Sequence, residues 1–294
     1  MKNSPLLLRR MQLTESSATV LVERVLGDET RAPAGTIRGP FCEFARTLPA
    51  DFPLRDLPPL PGRAPATSAT IVDPCYWTPA LPFEYELRPA DGASPRRFAL
   101  RRWYAVGASF RLSGRRTVLR GAAVDSVTES ALAVARASAA VLCVPTPAAE
   151  LCERADRIGV ALVADLRGAT DARDWWQAAG WRGSVVAALT DESQAVALGP
   201  LARATGIALA VGIAAEAPAL SAAVLDECDA VAVELQPGQR PPTWAGTCGK
   251  PVVAIRRGDA APDLAVARAA ADALQAELAP QFNLAGYFVA ARPS

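Results

Sequence analysis

Near Leu112 the apolar residues of this 294-residue chain change period. Upstream, SATVLVERVL, GTIRGPFCEFARTL, ATSATIVD, FEYELRP and RRFALRRWYAV alternate apolar and polar residues and are bounded by Pro, Gly or Asp. Alternation puts successive side chains on opposite faces, so each segment reads as a half-buried strand. No amphipathic helix interrupts them, and several short strands in succession imply a β-sandwich. The tract from Pro58 to Pro65 (PPLPGRAP) reads as a loop. Pro5, Leu6, Leu7 and Leu8 read as an extra edge strand or a disordered start.

Downstream the pattern becomes strand, helix, strand, helix. Eight apolar runs read as strands: TVLRGAAVD, AAVLCVPT, VALVADL, SVVAALT, IALAVGI, AVAVEL, PVVAIR and LAGYFVA. Alanine-rich stretches at 128–137, 148–158, 172–179, 194–205, 217–226 and 263–278 read as the helices between them. Apolar runs separated by helices are strands covered on both faces, hence a parallel sheet. Eight strands fit a closed barrel, with an open doubly wound sheet as the alternative. The barrel is compact: residues 114–294 give roughly 22 residues per strand–helix unit, against about 31 in a barrel of about 250 residues. Between the sixth and seventh strands the helix is reduced to a Pro/Gly loop around Gln236–Trp244. Short loops leave little material for a deep cleft, because those loops build the site at the C-terminal face.

Composition removes several function classes. The net charge is +1 and the arginines are scattered along the sequence, which argues against a nucleic-acid partner. No run approaches the ~18–20 apolar residues of a membrane span. The apolar stub in MKNSPLLLRRMQL is shorter than a signal-peptide core of ~7–15 residues, so a cytoplasmic location is expected. There is no histidine, and the six cysteines (Cys42, Cys75, Cys143, Cys152, Cys228, Cys248) form no C-x-x-C pair, so no metal site is expected. Reduced, mostly buried thiols are the expectation, with Cys42–Cys75 the one pairing worth naming. Gly35 and Gly39 form no phosphate loop, and no dinucleotide or Walker pattern occurs, so no cofactor is expected. Without histidine, any general acid or base is a carboxylate, Lys, Tyr or Cys.

The joint between the two patterns carries a motif. WTPALPFEYEL runs from Trp77 to Leu87, and FRLSGRRTVLRG from Phe110 to Gly121. Together they resemble the junction of glycoside hydrolase family 2, W-x-P-x-x-P-x-x-Y-x-L followed by F-x-L-N-G-(K/R)-x-x-x-L-R-G. The resemblance implies an N-terminal immunoglobulin-like β-sandwich over residues 1–111 and a compact (β/α)8 TIM barrel over 112–294. It continues more weakly downstream. AVLCVPTPAAELCERADRIGVALVADLRG resembles the family's second and third strands, and DAVAVEL its sixth. SVVAALTDES resembles S-V-x-x-W-S-x-x-N-E-S, KPVVAIRRG resembles K-P-x-x-x-T-E-x-G, and LAGYFVA resembles G-x-F-V-W.

Carried over position by position, the resemblance implies Glu192 as general acid/base, and it puts Arg256 where the nucleophilic carboxylate belongs. A retaining glycosidase needs two carboxyl groups ~5–5.5 Å apart. Arginine cannot attack an anomeric carbon, and a guanidinium beside Glu192 would hold that acid ionised. The plainer account of Glu192 is a helix N-terminal acid favoured by the helix dipole. Asp191 replaces the family's Asn, the first strand ends RGAAVD, Val144-Pro145-Thr146 replaces Arg and His-Tyr, and Ala290 replaces a Trp platform. Asp125, Asp165, Glu192 and Glu234 fall at strand ends on one face and, with Asp191, are the candidate sugar-binding groups. The preferred reading of these strand-end acids is a ring answered by Arg120, Arg167 and Arg256 in salt bridges. Trp175, Trp176 and Trp181 read as an outer-face cluster at an interface.

The reading is therefore a pseudo-glycosidase of family 2 type with a carbohydrate-binding or scaffolding role and a carbohydrate or protein partner. Its alternative is an active O-glycosyl hydrolase that uses Glu192 with a relocated second carboxylate, Glu234 or Asp165.

Overall fold

The computed structural model describes residues 6–24, 32–58 and 65–291. Two compact units divide the chain, one of Met1–Arg101 with Trp181–Gly183, the other of Arg102–Gly180 with Ser184–Ser294. Most of the loop at Pro58–Pro65, and Pro5, lie outside the described residues.

The first unit is all β among its described residues. Its strands are β1 (Leu6–Leu13), β2 (Ser17–Arg24), β3 (Gly35–Phe41), β4 (Ala50–Pro53), β5 (Arg55–Asp56), β6 (Ala66–Val72), β7 (Glu84–Pro89) and β8 (Arg96–Phe98). They form two four-stranded sheets, ordered β1-β2-β6-β5 and β4-β3-β7-β8, with every pairing antiparallel. The period-two pattern fixes which faces are covered. Ala18, Val20 and Val22 from one sheet share an apolar core with Ile37, Tyr85, Leu87 and Phe98 from the other. The Val, Ile, Leu and Phe side chains among them contribute about 1.5–3 kcal/mol each by leaving water. Trp77 is fully buried, and its backbone N–H donates to Leu100 at 2.6 Å. The Tyr85 hydroxyl accepts from the Cys75 N–H at 2.8 Å. The motif residues Trp77 and Tyr85 are thus structural groups of this unit. All six cysteines are free thiols, Cys42 and Cys75 included.

The second unit opens with a three-stranded antiparallel sheet, β9 (Trp103–Val106), β10 (Ser109–Leu112) and β11 (Arg115–Thr117). RRFALRRWYAV, expected as one strand, breaks at Ala99–Arg102 into β8 and β9. The barrel follows: β12 (Leu119–Ala123), α1 (Glu129–Ala137), β13 (Val141–Pro145), α2 (Ala149–Ile158), β14 (Leu162–Asp165), α3 (Ala172–Ala179), β15 (Val185–Thr190), α4 (Glu192–Thr205), β16 (Ala208–Ala214), α5 (Ala222–Glu227), β17 (Ala230–Leu235), β18 (Val252–Ala261), α6 (Leu264–Leu278) and β19 (Gly286–Ala291). The eight strands β12 to β19 close in sequential order with parallel pairing throughout, β12 against β19 included. Between β17 and β18 there is only a 3-10 turn at Thr243–Gly246.

Local chemistry sets the helix ends. Thr128 caps α1 and Asp263 caps α6 through side-chain acceptors, and Gly159 and Gly206 end α2 and α4 at φ 77° and 66°. The outward phase of the strands (Leu142, Leu162, Leu209, Val231, Val233, Val252, Ala254) packs under the helices. The inward phase is mostly small, as in Ala208-x-Ala210-x-Gly212 and Ala230-x-Ala232, which leaves room for larger side chains at the rim. Trp175 and Trp176 are a correction to the expected outer-face cluster. They are 8% and 1% exposed, and their indole N–H groups donate to the Pro147 carbonyl and to Thr205 Oγ1. Short helix α3 turns its tryptophans inward because alanine-rich neighbours leave space there. No helix of the described residues is long and apolar enough to cross a membrane.

Candidate functional site

Parallel barrel strands deliver their C-terminal residues to one rim, where the fold carries whatever site it has. Four half-buried charged side chains meet there: Asp165 at the end of β14, Arg167 two residues later, Glu234 on β17 and Arg257 on β18. Arg167 forks onto Asp165, Nε to Oδ1 at 2.9 Å and Nη2 to Oδ2 at 2.6 Å, while its Nη1 reaches Glu234 Oε1 at 2.8 Å. Arg257 donates to the same Glu234 oxygen from Nε at 3.2 Å and Nη2 at 3.0 Å, and lies 3.9 Å from Asp165 Oδ2. Two cations and two anions form a neutral ring, three sides of it charge-assisted hydrogen bonds and the fourth the 3.9 Å approach of Arg257 to Asp165.

Gly212 makes room for it. A Cβ at that position would stand 2.8 Å from Arg167 Cδ and 3.1 Å from Leu189 Cδ1, so only glycine lets the guanidinium cross the lumen beside β16. Burial alone would raise the Glu234 carboxyl, but the hydrogen bonds and charge of Arg167, then of Arg257, outweigh it and hold the group below the ordinary carboxylate range. Arg167 is held above its usual value, first by its bond to Asp165 and against the effect of burial. Cys143, fully buried and within electrostatic reach of the same four charges, is pushed up to about 12, chiefly by burial and then by Asp165. It is an inert thiol at neutral pH.

The other expected site residues stand apart. Asp125 and Glu192 are exposed, and neither has a hydrogen-bond or ion-pair partner among the described residues. Glu192 is the first residue of α4, the position that suits a dipole-stabilised acid. Asp191 precedes it, and its carboxylate accepts from the Gly168 N–H at 2.8 Å. Arg120 pairs with Asp272 at 3.0 Å.

Whether Arg256 stands beside Glu192 is answered by its partners among the described residues, none of which is Glu192. Arg256 forks onto Glu277 of α6 at 2.7 and 3.0 Å and also touches the Gln239 carbonyl at 3.4 Å. The reason is the phase of β18. Val252 and Ala254 belong to the outer apolar layer, so Arg256 lies on the outer face and Arg257 on the lumen face. The carboxyl held down by Arg256 is that of Glu277, through the hydrogen bond first. Arg257 and Gly212 were not singled out in the sequence. A glycine inside a buried run was the available signal for one, and the neighbouring arginine in the same strand for the other.

No group of three or more potential metal ligands occurs among the described residues. Chemically, the rim offers two carboxylates bridged by two guanidiniums. That arrangement locks charge in place.

No family model matches the chain, and no curated protein does. Solved structures share its fold. Ruminococcus gnavus β-glucuronidase superposes with a TM-score of 0.67 at 11% identity, over 97% of this chain and 60% of that one. Bifidobacterium dentium β-glucuronidase, complexed with coumarin-3-O-glucuronide, gives 0.62 at 13% identity over 97% and 59%. A glycosyl hydrolase family 2 member from Bacteroides cellulosilyticus gives 0.64 at 13% identity over 97% and 43%. The chain thus spans about half the length of the structures it matches. Its structural neighbours are family 2 glycosidases over nearly its whole length, and the likeness is one of fold.

Proposed function

We propose that this chain is a pseudo-glycosidase of family 2 type, built from an immunoglobulin-like sandwich and a compact TIM barrel, that binds carbohydrate or scaffolds a protein partner in the cytoplasm. The observation that carries the reading is the Asp165–Arg167–Glu234–Arg257 lattice across the barrel mouth. The alternative needs Glu234 or Asp165 free to act as the second carboxylate beside Glu192, and both are tied into ion pairs with guanidiniums. The partnered oxygen of Glu234 already takes three donors, so attack on an anomeric carbon would first require breaking ion pairs. Glu192, the acid/base candidate, is exposed on α4 and has no second carboxylate bonded near it.

The test is hydrolysis of 4-nitrophenyl β-glucuronide, β-galactoside and β-mannoside by the wild type, E192Q, E234Q and D165N. The expected result is no turnover that distinguishes wild type from E192Q. Turnover abolished by E192Q and by either E234Q or D165N would establish the alternative, an active hydrolase with a relocated carboxylate.

A further inference from the structure

The arginines expected to be scattered are concentrated in one stretch: residues 92–124 hold eight (96, 97, 101, 102, 111, 115, 116 and 120) and no acid. Three of them are gathered on the small sheet β9–β11. Register puts Tyr104, Arg111 and Arg116 directly opposite one another across its three strands, with Val106 opposite Ser109 in the next row. The opposite face is closed: Trp103 and Phe110 are buried there with their rings stacked at 5.0 Å. The outward face is open, with Tyr104 39% and Val106 51% exposed. Arg111 donates to the Gly114 carbonyl and Arg116 to Asn283 Oδ1, both neutral acceptors. Among the described residues, no carboxylate pairs with Arg111, Arg115 or Arg116. Like charges directly opposite across a sheet are destabilising, so an antiparallel pair of unanswered arginines is a cost that a bound anion would remove.

We propose that this face binds an anionic polysaccharide, a chain of uronate rings. Arg111 and Arg116 each present a planar fork matched to a carboxylate. Tyr104, in the same row, offers a ring face to the C–H side of the adjoining sugar. A nucleic acid fits less well. Sequence-tolerant single-strand binding uses successive stacking aromatics in a positive groove, and this face is flat with one aromatic. The site deepens the carbohydrate-binding part of the reading above but uses neither the barrel mouth nor catalysis, so its failure leaves the pseudo-glycosidase reading standing.

The experiment is titration of the full chain with polygalacturonate oligomers, with dextran and polyuridylate as comparators, followed by R116Q, Y104A and S109E. Polygalacturonate should bind, weaken steadily with salt, and lose about tenfold in affinity in R116Q, as for one charge-assisted hydrogen bond. S109E removes no native contact and should weaken binding through repulsion alone, which keeps the test decisive if R116Q fails to fold. No binding of polygalacturonate, equal binding of dextran, tighter binding of polyuridylate, or affinity unchanged in S109E would each overturn the proposal. None of these results alters glycoside turnover, which reports on the mouth.

Discussion

Glu234 is the residue on which the rim depends. Its folded pKa lies below the ordinary 4.5, so it binds fewer protons folded than unfolded. Its contribution is fully present above the unfolded value and is lost as pH falls through the folded one. Glu234→Gln should therefore lower stability at pH 7 by about 2 kcal/mol, the cost of leaving guanidiniums short of a partner. The side chain is 28% exposed, which keeps the figure below that of a fully buried pair. The deficit should shrink as pH drops below about 4.5. Denaturant unfolding of both proteins from pH 7 to pH 3 measures this, and a gap independent of pH would show that the lattice does not hold this carboxylate down.

Elements were more legible than side-chain directions. The eight apolar runs and the helical stretches between them correspond to β12–β19 and α1–α6, because covering both faces of a strand leaves a run that periodicity cannot miss. The same property hid the site. A run that is apolar on both faces gives no phase, so Lys250 to Gly258 could not say whether Arg256 or Arg257 enters the lumen. The outer layer, with Val252 and Ala254 in it, gives that phase and puts Arg257 on the lumen face. Asp165 and Glu234 were readable as strand-end acids; that they share Arg167 was not, since residues 165, 167, 212, 234 and 257 meet only through barrel closure. The outward phase of β18 has its own consequence. Arg256 ties the helix-less β17–β18 connection, through Gln239, to Glu277 on α6. Arg256→Ala should loosen residues 236–246 while costing the whole barrel only about 1 kcal/mol, given that Glu277 is partly exposed. Hydrogen exchange would show faster opening confined to that connection; protection unchanged there would mean the loop is held by other contacts.

At the scale of the molecule, the chain does not respect the simple division at the joint. Trp181–Gly183, which follows α3 in the barrel half of the sequence, belongs to the first unit. There the Arg182 guanidinium stacks on Trp181 at 4.0 Å with Arg96 at 5.6 Å, and Arg101 donates to the Gly183 carbonyl. A Cβ on Gly183 would stand 2.5 Å from Ala99 Cβ and 3.1 Å from Trp77 Cγ, so the fit is close. The first unit is therefore discontinuous, and the β-rich segment ending at Arg101 is incomplete without three residues supplied from far downstream. A fragment of residues 102–294 keeps Trp181, Arg182 and Gly183 but lacks Trp77, Arg96, Ala99 and Arg101. It should leave the Trp181 ring open to water and melt several degrees below the full chain, since about 1–2 kcal/mol shifts a domain of this size by about 2–8 °C. Tryptophan emission should move to longer wavelength, and Trp181→Ala in the fragment should remove that shift without lowering the melting temperature further. A fragment that melts with the full chain and shows no emission shift would mean that residues 181–183 gain nothing from the first unit, and that each half of the sequence folds on its own terms.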